Sequence, residues 1–410
     1  MRSPALALFP IWASLVPLAT PQPQEQPAHS RPYSTWLADS IISANLVPQT
    51  RWYSEATFYR GLEAVHNHTS DPKYLDFLTA QIDAVLTPIG DGGVAPLKGW
   101  DYTDHQLDNI RVGSTILYLH TLSPGKESEA AKKYKAAAGF LHGQLTTQYK
   151  RTASGAFWHK ERYPNQLWLD GLFMAGPFSA AYAALFDPRN KTLWDDVALQ
   201  FELAEKHCRN KTSGMLKHGY DESGKAVWAD KVTGASPLVW IRAQGWYFMA
   251  LLDVLGWFPR DHEGYAKIKG WFVELAEAVK REQDKSSGGW WLVMDEGYPG
   301  REGNYIESSG SSMYTYGLFK GIREGILDRG VYGETAERAY KGLVERFVTV
   351  RNGTNGTEIN WEGTVRVGSL DGKGDYPYYT GINRVQNSLI GVGPFLLASV
   401  EWEKYQSTRS

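Results

Sequence analysis

Two kinds of hydrophobic pattern alternate along the chain. In the first kind, apolar residues recur at helical spacing and leave one charged side, which is typical of a helix that packs through a single face. Six stretches have this pattern: Ser34–Leu46, Tyr74–Leu86, Glu127–Thr147, Thr192–His207, Tyr265–Arg281 and Glu334–Val350. In the second kind, Gly, Ala, Ser and aromatic residues dominate and charges are few beyond the opening turn, which predicts a buried helix. These stretches are Trp52–Val65, Asp104–His120, Gln166–Leu185, Trp240–Leu255, Tyr305–Ile322 and Tyr379–Trp402.

The alternation is a repeat of one exposed helix followed by one buried helix, six times over. Six such hairpins can close into an (α/α)6 barrel, which removes the unpaired ends of an open array. An open α-solenoid is the alternative, but its terminal repeats should carry polar caps, and here the first and last buried stretches resemble the others. We therefore predict an all-α fold, an (α/α)6 barrel, formed by one domain over residues 32–410.

Five long connections, rich in Gly or aromatic residues, follow the exposed helices: Thr87–Thr103, Lys150–Asn165, Asn210–Val239, Asp284–Asn304 and Asn352–Tyr378. Each leads into the start of a buried helix, so we expect them to gather at one end of the barrel. Short strands are predicted there, at Gly155–Lys160, Gly289–Met294 and Val365–Val367. Long loops in a compact domain are usually functional, and a cavity lined by Trp and Tyr suits the flat faces of sugar rings.

The composition of the chain excludes several classes of protein and site. Lys and Arg number 43 against 45 Asp and Glu, and a net charge of −2 argues against a protein that coats nucleic acid. The single Cys excludes an internal disulfide and a cysteine-rich metal site. No segment after the N-terminus is long and apolar enough to predict a membrane span. The sequence does not indicate an oligomeric state.

The N-terminus predicts export. Arg2 precedes an apolar run that ends in small residues near Ala19, so residues 1–19 are interpreted as a secretory signal peptide, with an uncleaved anchor as the alternative. Residues 20–31, rich in Pro and Gln, are predicted to be a flexible lead-in. Secretion fits the five N-glycosylation sequons, which begin at Asn67, Asn190, Asn210, Asn352 and Asn355.

Two carboxylates stand out at the openings of buried helices. Asp170 has apolar or aromatic neighbours on both sides, so burial should raise its pKa, as a general acid near neutrality requires. The alternative is an N-cap of the third buried helix, because Asp is a preferred cap. Asp108 shares a helix face with Asp104, and its alternative role is a solvated first turn that matches the helix dipole.

Two further segments carry polar groups. In the fourth buried stretch, Arg242 and Trp246 lie four residues apart, an arrangement that suits a carboxylated sugar; an Arg stacked inside the core is the alternative. His218, Asp221 and Glu222 lie close in sequence but lack the helical pair of a zinc protease, so no metal site is predicted. Phosphate-binding, dinucleotide-binding and nucleophile-elbow motifs are not found.

Taken together, these segments resemble the unsaturated glucuronyl and rhamnogalacturonyl hydrolases, glycoside hydrolase families 88 and 105, with the closer fit to family 105. The segments that carry the resemblance are Leu107–Gly113, Trp168–Phe178, His218–Ser223, Trp240–Tyr247, Glu307–Met313 and Gly391–Ala398. The chain departs from the family pattern where His-Gly-Trp is replaced by His218-Gly-Tyr220 and Arg-Gly-Asn-Gly-Trp by Arg242-Ala-Gln-Gly-Trp246. Both changes concern the rim of the expected sugar pocket.

The resemblance implies an (α/α)6 catalytic domain that acts on oligosaccharides ending in a 4,5-unsaturated uronic acid. It implies hydration of the C4=C5 bond, without a metal or organic cofactor. By the same resemblance, Asp170 donates the proton to C4 and then helps to deprotonate water, while Asp108 holds ring hydroxyls and helps to keep Asp170 protonated. The residues expected to bind the sugar and its carboxylate are His218, Arg242, Trp246, Trp168 and Tyr53.

Two other functions fit the same residues. A conventional glycosidase with two carboxylates would act on saturated oligosaccharides. A secreted carbohydrate-binding protein without activity would be insensitive to loss of Asp170. Neither alternative, nor the main hypothesis, involves nucleic acid or a membrane.

Overall fold

The structure, a computed structural model, describes residues 31–87, 96–353 and 356–408. Amphipathic stretches fold into helices that begin at defined caps. Asp71 accepts a hydrogen bond from the backbone of Lys73, and Ser128 and Asp328 act in the same way. The resulting outer helices are α1 (Tyr33–Ser43), α3 (Pro72–Val85), α5 (Glu129–Thr147), α7 (Lys191–Cys208), α9 (Glu263–Arg281) and α11 (Arg329–Phe347).

The Gly- and aromatic-rich stretches form the inner helices, and α8 is buried along its entire length. The inner helices are α2 (Tyr53–Thr69), α4 (Val112–Leu122), α6 (Leu169–Phe186), α8 (Ile241–Leu255), α10 (Ser308–Arg323) and α13 (Leu389–Ser407). Each contacts the next, and α13 packs on α2, so the ring closes. The predicted (α/α)6 barrel is confirmed and the open solenoid is wrong.

Glycines allow the ring to close tightly. A Cβ atom added at Gly393 of α13 would lie 2.3 Å from the backbone oxygen of Thr57 in α2, and one added at Gly61 would lie 2.9 Å from the oxygen of Gly393. Because real Cβ atoms do not approach a backbone that closely, only glycine permits this approach of the two helices. We call this contact between α2 and α13 the seam.

The strands are short antiparallel pairs: β1 (Gln166–Trp168) with β2 (Gly219–Asp221), β3 (Val348–Gly353) with β4 (Gly356–Trp361), and β5 (Thr364–Val365) with β6 (Arg384–Val385). Of the predicted strands, Val365–Val367 is confirmed only at Val365. Gly155–Lys160 and Gly289–Met294 form isolated bridges and not strands, because they pair with single residues and not with a continuous strand.

Helix boundaries also differ from the prediction, most clearly at three places where another element intervenes. The last outer helix ends at Phe347, where β-branched residues begin β3. The second inner helix begins at Val112, after a 3-10 turn at Leu107–Ile110. The sixth inner stretch is split into a short helix α12 (Tyr376–Thr380) and α13, with β6 between them.

Some predictions fall outside the described residues or stay untested. The signal peptide and residues 20–30 of the lead-in lie outside them, as does the sequon residue Asn355. Residues from Pro32 onward group as one compact unit, and the domain boundary stays a prediction. Among the described residues, α6 alone is long and apolar enough to cross a membrane, but most of it is buried in the barrel, as in the core helix of a globular protein.

Candidate active site

A cavity of about 270 Å³ lies where the inner helices begin. The starts of α2, α6 and α8 and the 3-10 turn before α4 supply its walls, so the loops that precede the inner helices meet at one end of the barrel. Six of the seven residues predicted for the site line this cavity: Tyr53, Asp108, Trp168, Asp170, Arg242 and Trp246. The seventh, His218, lies behind Asp170 and contacts it directly.

Asp170 is the second residue of α6, and its side chain is 13% exposed. The N-cap of α6 is Trp168, so the capping role considered for Asp170 is wrong. Its Oδ2 lies 3.0 Å from Nε2 of His218, whose Nδ1 lies 2.7 Å from the hydroxyl of Tyr379. The Nε2 of His218 therefore donates to Oδ2 of Asp170, which leaves the Oδ1 atom of Asp170 free of this chain of hydrogen bonds.

The expectation of a raised pKa for Asp170 is wrong. Burial does disfavour its charged form, but the hydrogen bond and charge of His218, with a further contribution from His159, outweigh burial and hold the pKa of Asp170 below its usual value. Neighbours in the sequence are apolar, whereas the two histidines come from separate loops. The local pattern therefore predicted the burial of Asp170 correctly but not the two histidines that stabilise its charged form.

Asp108 lies in the 3-10 turn and is 6% exposed, so the solvated first turn considered for it is wrong. Its Oδ2 lies 2.6 Å from Nζ of Lys160, and its Oδ1 lies 3.7 Å from Nε2 of His159. The negative charge of Asp108 is thus balanced by a lysine ammonium inside the cavity. Asp104, the companion of Asp108 in the sequence argument, lines only the outer groove described below.

Arg242 is 2% exposed and lines the cavity from α8. One of its guanidinium nitrogens donates to the backbone oxygen of Val365 over 2.6 Å, and the other donates to the backbone oxygen of Arg366. The guanidinium also lies 4.9 Å from the ring centre of Trp240. Backbone carbonyls and an aromatic face therefore fix this cation at the cavity wall without neutralising it.

Aromatic rings complete the cavity. Trp246 stacks on Phe173 with ring centres 4.7 Å apart and forms the floor. Trp168 stacks between His159, at 4.5 Å, and Tyr163, at 4.8 Å, and is thereby held rigidly in the wall. Tyr53 lies at the first position of α2, where the cavity meets the outer groove.

Several residues of the site were missed by the sequence argument: His159, Lys160, Arg162, Met174, Trp240, Val367, Gly368, Ser369, Asp371, Tyr378 and Tyr379. Most lie on loops, where no periodicity marks an inward-facing side chain. His159 and Lys160 are adjacent in the stretch predicted as a strand at Gly155–Lys160, so alternation would have placed at most one of them in the site.

The acidic segment considered for metal binding is dispersed in the structure. His218 faces Asp170, the Asp221 carboxylate accepts from the backbone of Ser223 and Ala226, and Glu222 accepts from Ser154. These three side chains have separate partners and do not converge.

A wider groove of about 620 Å³ adjoins the cavity and shares Tyr53, Asp108 and Lys160 with it. Trp52, which is 46% exposed, presents an aromatic face there. Arg162 and Arg366 also line the groove, and neither forms an ion pair with any residue that the structure describes. The site therefore combines a narrow, charged cavity with an open groove that carries an aromatic face, two arginines and the carboxylates of Asp104 and Asp108.

A family model described as Glycosyl Hydrolase Family 88 matches residues 34–406. Among solved structures, a family 105 glycoside hydrolase of C. acetobutylicum is 35% identical, with a TM-score of 0.82 over 91% of this chain and 100% of that chain. An unsaturated glucuronyl hydrolase of Bacillus sp. GL1 shares the fold at 15% identity, with a TM-score of 0.60 over 91% of this chain and 96% of the other.

Curated relatives cover a similar span. An unsaturated 3S-rhamnoglycuronyl hydrolase of Formosa agariphila is 24% identical over 75% of this chain and 80% of its own length. An unsaturated rhamnogalacturonyl hydrolase of Bacillus subtilis is 22% identical over 72% of this chain and 75% of its own. The matched residues include the entire ring of inner helices except the last residue of α13.

Proposed function

Because the chain belongs to glycosyl hydrolase family 88, we propose that it removes a 4,5-unsaturated uronic acid from the non-reducing end of oligosaccharides. The bond consumed is the C4=C5 double bond, which is hydrated. The protein is a glycoside hydrolase by its family, and the relatives named above act on unsaturated uronyl substrates according to their names. The observation that carries the proposal is a carboxyl group, Asp170, held by His218 inside a narrow cavity that also contains the fixed cation of Arg242.

The cavity suits one acidic sugar. The fixed guanidinium of Arg242 offers a partner for the uronate carboxylate, and arginine binds carboxylates well because its donors are planar and always charged. The floor ring of Trp246 offers a flat apolar surface for the sugar ring. A volume of about 270 Å³ is too small for a long oligosaccharide, which favours action at a chain end, with the rest of the substrate in the outer groove.

We assign the chemical steps as follows. Asp170 donates a proton from Oδ1 to C4, and positive charge develops at C5 and the ring oxygen. Water adds to C5 and returns a proton to Asp170, which regenerates the acid. The hemiketal formed at C5 opens and releases the neighbouring sugar. His218 and Tyr379 orient Asp170, and Asp108, paired with Lys160, holds ring hydroxyls.

Substrate binding favours the protonated form of Asp170, which is scarce in the free protein. In the free protein the pKa of Asp170 lies below its usual value, so its acid form is scarce at neutral pH. A bound uronate carboxylate adds a negative charge nearby, and like charges raise the pKa of a carboxyl group. The substrate thereby promotes protonation of the group that acts on it.

Unsaturated disaccharides produced by polysaccharide lyases test the proposal. We expect the ultraviolet absorbance of the C4=C5 bond to disappear during turnover, and Asp170→Asn to lower kcat by at least about 10²-fold while substrate still binds. Asp261→Asn, a change at an exposed residue outside the site, is the matched control and should keep full activity. Turnover of saturated oligosaccharides without loss of absorbance would show a conventional two-carboxylate glycosidase, and binding without turnover would show a carbohydrate-binding protein.

A further inference from the structure

A second cavity, of about 310 Å³, lies in the opposite half of the barrel. It is lined by the later turns of the inner helices, including Arg60 and Glu63 of α2, Asp253 at the end of α8 and Lys320 of α10. The catalytic scheme above uses none of these residues. We call this space the lower cavity.

The charges around the lower cavity do not balance. Asp253 pairs with Lys320 at 2.8 Å and with Arg60 at 3.5 Å, and Glu63 pairs with Arg60 at 3.6 Å. Two carboxylates therefore face the cations of Arg60 and Lys320. The guanidinium of Arg111, which also lines the cavity, is a third cation and has no carboxylate within ion-pair distance among the described residues.

Arg111 is the cation that is buried without a carboxylate partner. It is 1% exposed, and its Nε and Nη2 atoms have no hydrogen-bond partner in the part of the chain that the structure describes. Its Nη1 donates to Ser114, and its guanidinium packs 4.0 Å from the ring centre of Phe173. Burial lowers the pKa of Arg111 to about 10, which still leaves the group charged at neutral pH.

We infer that the lower cavity binds a small inorganic monoanion, of the halide class, against Nε and Nη2 of Arg111. A buried charge is unfavourable unless it is paired, and one negative charge balances three cations against two carboxylates. The exposed residues Asn67, Thr121 and Trp257 also line the cavity, so a small ion has a path from solvent.

Bromide is the probe for this site. Crystals of the protein soaked in sodium bromide should show an anomalous scattering peak in hydrogen-bond contact with Arg111. In solution, the thermal midpoint should rise with bromide and saturate when sodium gluconate keeps the ionic strength constant, because a ligand that binds only the folded state stabilises it. Absence of a bromide peak in the lower cavity would overturn the inference.

Variants separate a specific site from a general salt effect. Arg111→Gln should abolish the saturable rise of the thermal midpoint with bromide. Glu63→Gln removes a competing negative charge, so the bromide concentration that gives half of this rise should be lower. Arg329→Gln, a change outside the lower cavity, is the control and should shift like the unmodified protein. Equal shifts in all proteins would contradict the inference. If Arg111→Gln does not fold, the bromide crystal and Glu63→Gln still decide the question.

Discussion

At the scale of single residues, the reactivity of Asp170 is set by a competition between burial and its histidine neighbours. Burial favours the protonated carboxyl, and His218 at 3.0 Å favours the ionised form and prevails. Asp170 is therefore the end of a hydrogen-bond chain that runs from Tyr379 through His218, and it is not an isolated acid in an apolar pocket. This balance has a measurable pH dependence.

We expect kcat/KM to rise as the pH is lowered from about 8 to about 5. The parameter kcat/KM reports the free enzyme, in which the pKa of Asp170 is held low, so each pH unit upward reduces its acid form about tenfold. The parameter kcat should decline at higher pH than kcat/KM, because bound substrate raises the pKa of Asp170. Absorbance assays across this range check both, and a kcat/KM that increases with pH would contradict the role of Asp170 as the acid.

His159 should make the fold sensitive to acid. Burial lowers its pKa to about 4, with nearby Asp108 opposing, whereas the unfolded chain has the ordinary value near 6.5. Between these two pKa values, the histidine therefore binds a proton in the unfolded state but not in the folded state. Stability from this group is complete above about pH 6.5 and declines by up to about 3 kcal/mol as the pH falls to about 4. Urea unfolding of His159→Gln should show a shallower loss over that interval; an unchanged slope would refute the assignment.

At the scale of elements, the inner helices depend on glycine where backbones meet, and the seam shows this most directly. Gly393→Ala should lower the free energy of unfolding by about 1–3 kcal/mol or more, because its Cβ would meet the Thr57 carbonyl at 2.3 Å. The control is Gly143→Ala on α5, where an added Cβ would meet no atom within 4 Å. This substitution should stabilise the helix by about 0.5–1 kcal/mol. Urea unfolding measures both, and similar values for the two variants would contradict the close approach.

Helices were predictable from the sequence because their periodicity is local, and the alternation of pattern gave the order of the ring correctly. The β3–β4 hairpin was missed because Val348–Gly353 continues the polar spacing of α11, although its β-branched residues favour a strand. In the site, Asp108, Asp170 and Arg242 were found at helix openings. Lys160 and His159 were missed, because a partner fifty residues away on a loop leaves no local pattern.

At the scale of the whole molecule, we propose that the protein is exported and glycosylated. Asn67 and Asn352 are exposed, and Asn190 and Asn210 are partly exposed, so each offers an acceptor at the surface. Expression in a eukaryotic secretory host should give a secreted protein whose first residue lies near residue 20 and whose mass falls after endoglycosidase treatment. Asn67→Gln should remove one glycan. Retention inside the cell with an intact Met1 would contradict the proposal.

The seam also has a consequence for biosynthesis. α2 leaves the ribosome long before α13, the helix that covers it. Until α13 has emerged, the ring stands open at that position, and the face of α2 around Gly61 has no helix packed against it. Contacts between such distant parts of a chain form slowly, and uncovered apolar surface invites association between nascent polypeptides. Closure of the barrel therefore waits until α13 has been synthesised and has left the ribosome.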